Sequence, residues 1–384
     1  MNKILTSTQH GKMKKKVFFM GLAAVCGILA LSSCSGDVTP EGDEHKTSAK
    51  PGISFTPVAG NAKATRGTAT TPDNYLTQIA NFKVWGWNST SLDYYLGILG
   101  EGGIIIDGNG TTYDYRTASE KAYWPSYDLD FYAVTPAENS GYAYNAATGG
   151  MTYTVPSDES KQIDVMVANA NGVTETTNGG VVALPFRHML SQVRFNAKLV
   201  NSTINVEIKG ITIHNAKNTI DIDLRQGTVA QNSTTVDNYA VGLASPVTLS
   251  TLNESKSVTD DNGVLLLAPQ TLTGWAQNTT TASADEGGQC YLEIDCKIKS
   301  GGTYLVGSAD AYGKTYVAFP ADWESGSKYV YTLNFGVGLD ENGNPRLTPI
   351  TFSVTASDWG EQSEIGIGKG TTTPEQSGAK GSWL

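Results

Sequence analysis

The chain has 384 residues, of which 17% are charged, 42 are glycine and 18 are tyrosine; that length suits two compact bodies better than one. Five of its 27 basic residues and none of its 37 acids lie in the first 33 positions, so the remainder carries a net charge of −15. An acidic surface repels phosphate and argues against nucleic acid and anionic lipid heads as partners, and low charge with abundant Gly, Thr, Asn and Tyr is the composition of an extracellular β protein rather than a helical enzyme.

Lys14, Lys15 and Lys16 precede an apolar run from Val17 to Leu31. The run is too short for a lasting membrane span and has the form of an export signal. It ends in Leu31-Ser32-Ser33-Cys34, which resembles the bacterial lipobox, where the chain is cut before the cysteine and lipid is attached to its sulfur. Residues 1–33 are therefore expected to be a lipoprotein signal peptide and Cys34 the lipidated residue. The competing reading is an ordinary cleaved signal with an incidental cysteine. Residues 34–66 read as an extended leader rich in Gly, Pro, Ser, Thr and acid, with one apolar patch, Ile53-Ser54-Phe55, whose Ile53 and Phe55 point to one side of a strand. Thr65-Arg66-Gly67-Thr68 lies in a stretch without helix or strand signals. Arg66 is the last basic residue of this leader, and its guanidinium can make a bidentate contact that the nearby Lys63 cannot.

From Tyr75 onward, strand signals recur. Phe82-Lys83-Val84-Trp85-Gly86-Trp87 alternates, as do Ile163 to Val167, Val193 to Leu199 and Ile204 to Lys209. Further stripes run through Cys290, Leu292, Ile294, Cys296 and Ile298, through Tyr329 to Val337, and through Ile350, Phe352 and Val354. Period-2 patterning of this density predicts antiparallel sheets packed as sandwiches. Asp340 to Asn344 reads as a hairpin turn. The domain boundary falls near residues 186–190, giving an N-terminal sandwich over 67–187 and a C-terminal one over 188–384. The Gly, Thr and Ser-rich tail after Trp359 is read either as a donor strand for a neighbouring subunit or as a disordered terminus.

Little in the chain points to chemistry. His45, His188 and His214 stand at no metal-ligand spacing, no Cys-x-x-Cys occurs, and no cofactor is implied. Cys290 and Cys296, six residues apart on one strand, are separated by roughly 20 Å, whereas a disulfide needs Cα atoms within about 7 Å. They are expected to be free, buried thiols. Gly307 to Thr315 imitates a phosphate loop but has five residues between its glycines where that loop needs four, and reads as a hairpin turn. His188 reads as a packed, hydrogen-bonded residue. The carboxylate pairs Asp128/Asp130 and Asp221/Asp223 fit a solvated rim as well as a glycosidase. Trp85 and Trp87 share the face of their strand opposite Phe82 and Val84. They form a candidate sugar-stacking platform if that face is wet.

Several segments together resemble the fimbrillin-like lipoproteins of Bacteroidales: Ala64-Thr65-Arg66, the Phe82–Trp87 strand, Tyr123-Trp124-Pro125, Asp130-Phe131-Tyr132-Ala133, Phe186 to Phe195, Leu266-Leu-Ala-Pro-Gln270 and Trp359. The resemblance implies two transthyretin-like β-sandwiches and a pilin subunit, tip or anchor at the cell surface rather than an enzyme. It also implies lipidation at Cys34, cleavage between Arg66 and Gly67 by a trypsin-like protease, and departure of the Ile53/Phe55 leader strand. Another subunit's strand then fills the groove. The implied partners are other fimbrial subunits, the protease and, before cleavage, the outer membrane through the lipid. The alternative is a non-polymerising surface lipoprotein that binds glycan or another ligand.

Overall fold

The computed structural model describes residues 50–59, 79–100, 102–231, 233–241, 243, 245–259, 264–275, 289–336 and 350–358. Cys34, Arg66, Gly67, the turn at 340–344 and the tail beyond 358 lie outside them. The first half of the chain supplies β1 (Ser54–Ala59), β2 (Asn81–Asn88), β3 (Asp93–Leu96), β4 (Ile104–Gly108), β5 (Tyr113–Tyr115), β6 (Leu129–Thr135), β7 (Tyr142–Asn145), β8 (Gly150–Thr154), β9 (Met166–Val173) and β10 (Val181–His188). The second half supplies β11 (Ser191–Leu199), β12 (Ile204–Lys217), β13 (Thr219–Asp223), β14 (Thr228–Ala230), β15 (Val236–Val241), β16 (Val247–Leu249), β17 (Lys256–Ser257), β18 (Leu265–Leu267), β19 (Thr271–Leu272), β20 (Tyr291–Ser300), β21 (Thr303–Val306), β22 (Gly313–Ala318), β23 (Ala321–Asp322), β24 (Ser327–Phe335) and β25 (Thr351–Asp358). Among the described residues the only helical segments are short 3-10 turns, and no helix is long and apolar enough to cross a membrane. The protein is all-β, built of packed, mostly antiparallel sheets.

The first sheet runs β1-β10-β9-β6-β2-β4-β5, with β3 also on β2. It curls until its two edges meet: Phe55 of β1 packs on Tyr115 of β5, with ring centroids 6.1 Å apart. Inside the curl lies one core, made of Phe82 and Val84 of β2, Phe131 and Ala133 of β6, and Val182, Leu184 and Phe186 of β10. Alternation sends Trp85, Tyr132 and Val134 to the other face, where they join a second and larger core.

That larger core is shared with the second half. Sheet β17-β11-β24-β25 contributes Val193, Phe195, Tyr331 and Leu333, and sheet β15-β12-β20-β21 contributes Ile208, Ile211, Leu292 and Ile294. A four-stranded sheet, β14-β13-β8-β7, joins strands from both halves, pairing Ile220 with Tyr153 and Ile222 with Met151.

Two predicted segments differ in the structure. The Ile163–Val167 strand enters its ladder only at Met166, because Val165 O already accepts from Met189 N at 2.9 Å. Gly307 to Thr315 is not a hairpin turn. Strands β21 and β22 both pair with β20 on the same edge, Val306 opposite Ile298 and Gly313 opposite Cys296, so the loop is an excursion within one interrupted strand. Gly307 adopts φ +76 there, which glycine permits.

Cys290 and Cys296 are free and buried, as the strand spacing predicted. Burial pushes the Cys296 thiol up to about 12, with Asp295 adding to the shift, and pushes Cys290 up as well. His188 is buried and its Nδ1 lies 2.9 Å from Asp164 Oδ1.

Candidate functional site

The Ile53/Phe55 patch is built into the molecule. Ile53 and Phe55 are buried, as is Pro57, so alternate residues of one short segment face the first core. Phe55 sits among aromatic rings: Phe131 at 5.5 Å and Phe82 at 6.3 Å, both near-perpendicular, in the edge-to-face arrangement aromatic pairs prefer. Burying the Ile53 and Phe55 side chains contributes about 3–6 kcal/mol.

The main chain of this segment is held differently at its two ends. Ser54 to Ala59 pair in parallel with Val181 to Phe186 of β10. Parallel pairing is slightly weaker per residue, the strand is an edge, and Pro57 has no N–H to donate, which only an edge tolerates. At its start the segment is gripped from the other side. Ile53 N donates to Ala122 O at 2.8 Å, Trp124 N donates to Pro51 O at 3.1 Å, and the Tyr115 hydroxyl donates to Ile53 O at 3.0 Å. Burial pushes the Tyr115 phenol up to about 12, so it stays a neutral donor across physiological pH.

The gripping segment is itself fixed. The Trp124 indole is buried and donates from Nε1 to Gly180 O at 3.1 Å, just before β10. The Tyr95 hydroxyl donates to Tyr123 O, and the Tyr95 ring meets Tyr127 edge-on at 6.2 Å. Of these tyrosines only Tyr123 was singled out in the sequence, within Tyr123-Trp124-Pro125. The signal available was the short alternation Tyr113-Asp114-Tyr115 beside Tyr123-Trp124.

The tryptophan platform is corrected by the structure. Trp85 is 1% exposed, its ring covered by Tyr132 and Tyr144. Trp87 has Tyr94 against its ring and the Arg225 guanidinium 4.2 Å from its centroid. The β7 hairpin and the β13–β14 turn cover the face that was to be wet, so the pair presents no open stacking surface. One carboxylate of each pair is bonded to backbone: Asp130 Oδ1 accepts from Gly172 N at 2.8 Å where the β6–β9 register shifts, and Asp223 Oδ1 accepts from Arg225 N at 2.9 Å and Gln226 N at 3.0 Å in the turn after β13. Among the described residues no cluster of three or more His, Cys, Asp or Glu could hold a metal ion.

An all-β protein whose first core is closed by a short, edge-bound N-terminal strand is the class this geometry defines. The family model described as fimbrillin-like matches residues 65–359, and the protein belongs to the fimbrillin-like family. Its fold is also that of a fimbrial protein from Bacteroides vulgatus ATCC 8482, at 15% identity and a TM-score of 0.55, covering 80% of this chain and 99% of that one. The fimbrial anchor protein Mfa2 from Porphyromonas gingivalis matches at 9% identity and a TM-score of 0.36, over 80% of this chain and 97% of that one. No curated protein matches.

Proposed function

We propose that the protein is a structural subunit of a cell-surface fimbrium, exported as a lipoprotein through Cys34. A trypsin-like protease cuts it after Arg66, and it assembles when another subunit's strand takes the place of β1. The observation that carries this reading is β1 itself. Its side chains close a core, yet its main chain is a six-residue parallel edge interrupted by proline. While the leader is covalently attached, its docking is intramolecular and favoured by a high effective concentration. A cut after Arg66 makes that docking bimolecular, so a dilute leader leaves. The exposed β10 edge and the pockets for Ile53 and Phe55 then accept a new strand by β-augmentation.

Two modules, 67–187 and 188–384, belong to this reading. It is supported by the chain leaving the first sheet at His188 and entering another at Ser191. Membership of the fimbrillin-like family supports other fimbrial subunits as partners and a structural role rather than a catalytic one.

The test is Arg66→Ala. The variant is expected to remain full length, membrane-bound and monomeric, while the unaltered protein yields an N-terminus at Gly67 and high-mass ladders on unboiled gels. Polymer formation by the variant at the normal rate would show that this cleavage is not the trigger.

A further inference from the structure

A second concave site lies on the face of β2 opposite the leader groove. Lys83 and Trp85 stand on that face, two residues apart, and the hairpin carrying β7 folds over it. Lys83, Tyr142 and Tyr144 and the turn residues Glu138, Asn139 and Ser140 line an open cleft of about 420 Å³, toward the small end of the roughly 300–1,000 Å³ range of ligand sites.

The cleft is organised around Tyr144. Trp85 packs against its ring at 5.3 Å and 61°, and the Lys83 ammonium lies over the ring 5.3 Å from its centroid. Burial lowers the Lys83 pKa, with Glu138 opposing and Arg116 reinforcing the shift. Glu138 is held in place by Arg116 Nη1 at 3.0 Å, and Arg116 is itself forked onto Asp107 by two bonds of 2.8 Å. Asn139 Oδ1 accepts from Gly141 N at 2.7 Å, which leaves its amide NH₂ to donate elsewhere. The hydroxyls of Tyr142 and Tyr144 are buried among the core side chains, so what the two tyrosines offer the cleft is ring surface, and its polar groups are the Lys83 ammonium, the Glu138 carboxylate, the Asn139 amide and the Ser140 hydroxyl.

These groups exclude most ligand classes. Lys83 and Arg116 balance Glu138 and Asp107, so the cleft has no net charge with which to select an anion or a cation. Every lining side chain carries a polar end, which disfavours an apolar guest. A zwitterion gains little from Glu138, whose charge is already matched by Arg116. What remains is a neutral ligand with many hydroxyls, each able to accept from ammonium or amide and donate to carboxylate, and with a C–H face to lay on an aromatic ring.

We propose that this cleft is a saccharide-binding site, with a pyranose ring packed on Tyr144 between Lys83 and Glu138. The aromatic contact comes from the tyrosines of β7, not from Trp85 and Trp87. The site is independent of strand exchange, so it is tested on unpolymerised protein.

Saturation-transfer NMR with galactose, glucose, mannose and N-acetylglucosamine, followed by a glycan array, should find at least one saturable binder. Lys83→Met and Glu138→Gln should each weaken it tenfold or more, and Trp87→Phe should leave it unchanged. Glu138 is exposed, so Glu138→Gln decides the matter even if Lys83→Met does not fold. Absence of binding to all probes, or binding that survives Glu138→Gln at full strength, would overturn the proposal.

Discussion

Tyr95 shows how much one side chain controls at the start of the leader strand. Its hydroxyl donates to Tyr123 O, and Tyr123 sits between the two residues whose backbone groups bond Pro51 and Ile53. Burial, then Tyr127, raises the Tyr95 pKa, which keeps the donor protonated. A hydrogen bond of this kind is worth about 0.5–1.5 kcal/mol. Tyr95→Phe should therefore speed hydrogen exchange at the Ile53 amide roughly two- to tenfold and leave exchange in β20 untouched. Equal exchange at Ile53 in both proteins would show that the grip does not depend on this bond. The thiols give a second prediction. Below about pH 9 the Cys296 thiol is protonated both folded and unfolded and pH has no effect through it. Between there and about 12 only the unfolded thiol ionises, so stability falls as pH rises. Cys296→Ala should flatten the loss of chemical stability between pH 8.5 and 10.5, and both thiols should resist alkylation until the protein is denatured.

At the scale of elements, β1 is a wedge whose affinity for its groove resides largely in Phe55. In a protein cleaved after Arg66, a peptide of residues 50–59 added in trans should occupy the groove and block assembly. Truncating a buried phenylalanine costs about 3–5 kcal/mol, so the peptide carrying Phe55→Ala should bind at least roughly a hundredfold more weakly. Equal inhibition by both peptides would place the binding elsewhere. The same element marks how far sequence reading reaches. Ile53 and Phe55 were legible because period-2 alternation is local, and so were β2, β11, β20 and β24, each within two residues of its ends. In β12 the alternation was legible only to Lys209. A bulge between Ile208 and Gly210 shifts the buried set from Ile204, Val206 and Ile208 to Ile211 and Ile213, so one strand looks like an end. Pairing between distant short strands was not legible at all. The union of β8 with β13 leaves no local trace, yet that sheet is what buries Trp85, and without it the tryptophan face reads as open. The Tyr144 cleft was hidden for the same reason, since it exists only where β7 crosses β2.

For the whole molecule, two consequences follow from a shared core and a shared sign of charge. One apolar cluster runs from Trp85 and Tyr132 through Met151 and Ile222 to Phe195 and Ile294. The two halves should therefore unfold in a single cooperative transition, with fluorescence and circular dichroism midpoints coinciding. Two separated transitions would show that the halves are only loosely coupled. Charge bears on assembly. Residues 34–66 hold four basic and four acidic side chains, so removing them leaves the subunit at −15. Subunits of one sign repel as they approach, and that repulsion reaches about 30 Å at 0.01 M salt but only about 8 Å at 0.15 M. Strand exchange as proposed would rest on backbone hydrogen bonds and apolar side chains, which such salt hardly alters. Salt should thus act on encounter and not on the docked strand: assembly of trypsin-processed subunits, followed by light scattering, should speed up roughly tenfold between these concentrations, while the salt stability of finished polymers stays constant. If assembly instead slows as salt is added, opposite charges on the two meeting faces govern the encounter, and the net acidity of the subunit is not what limits its growth.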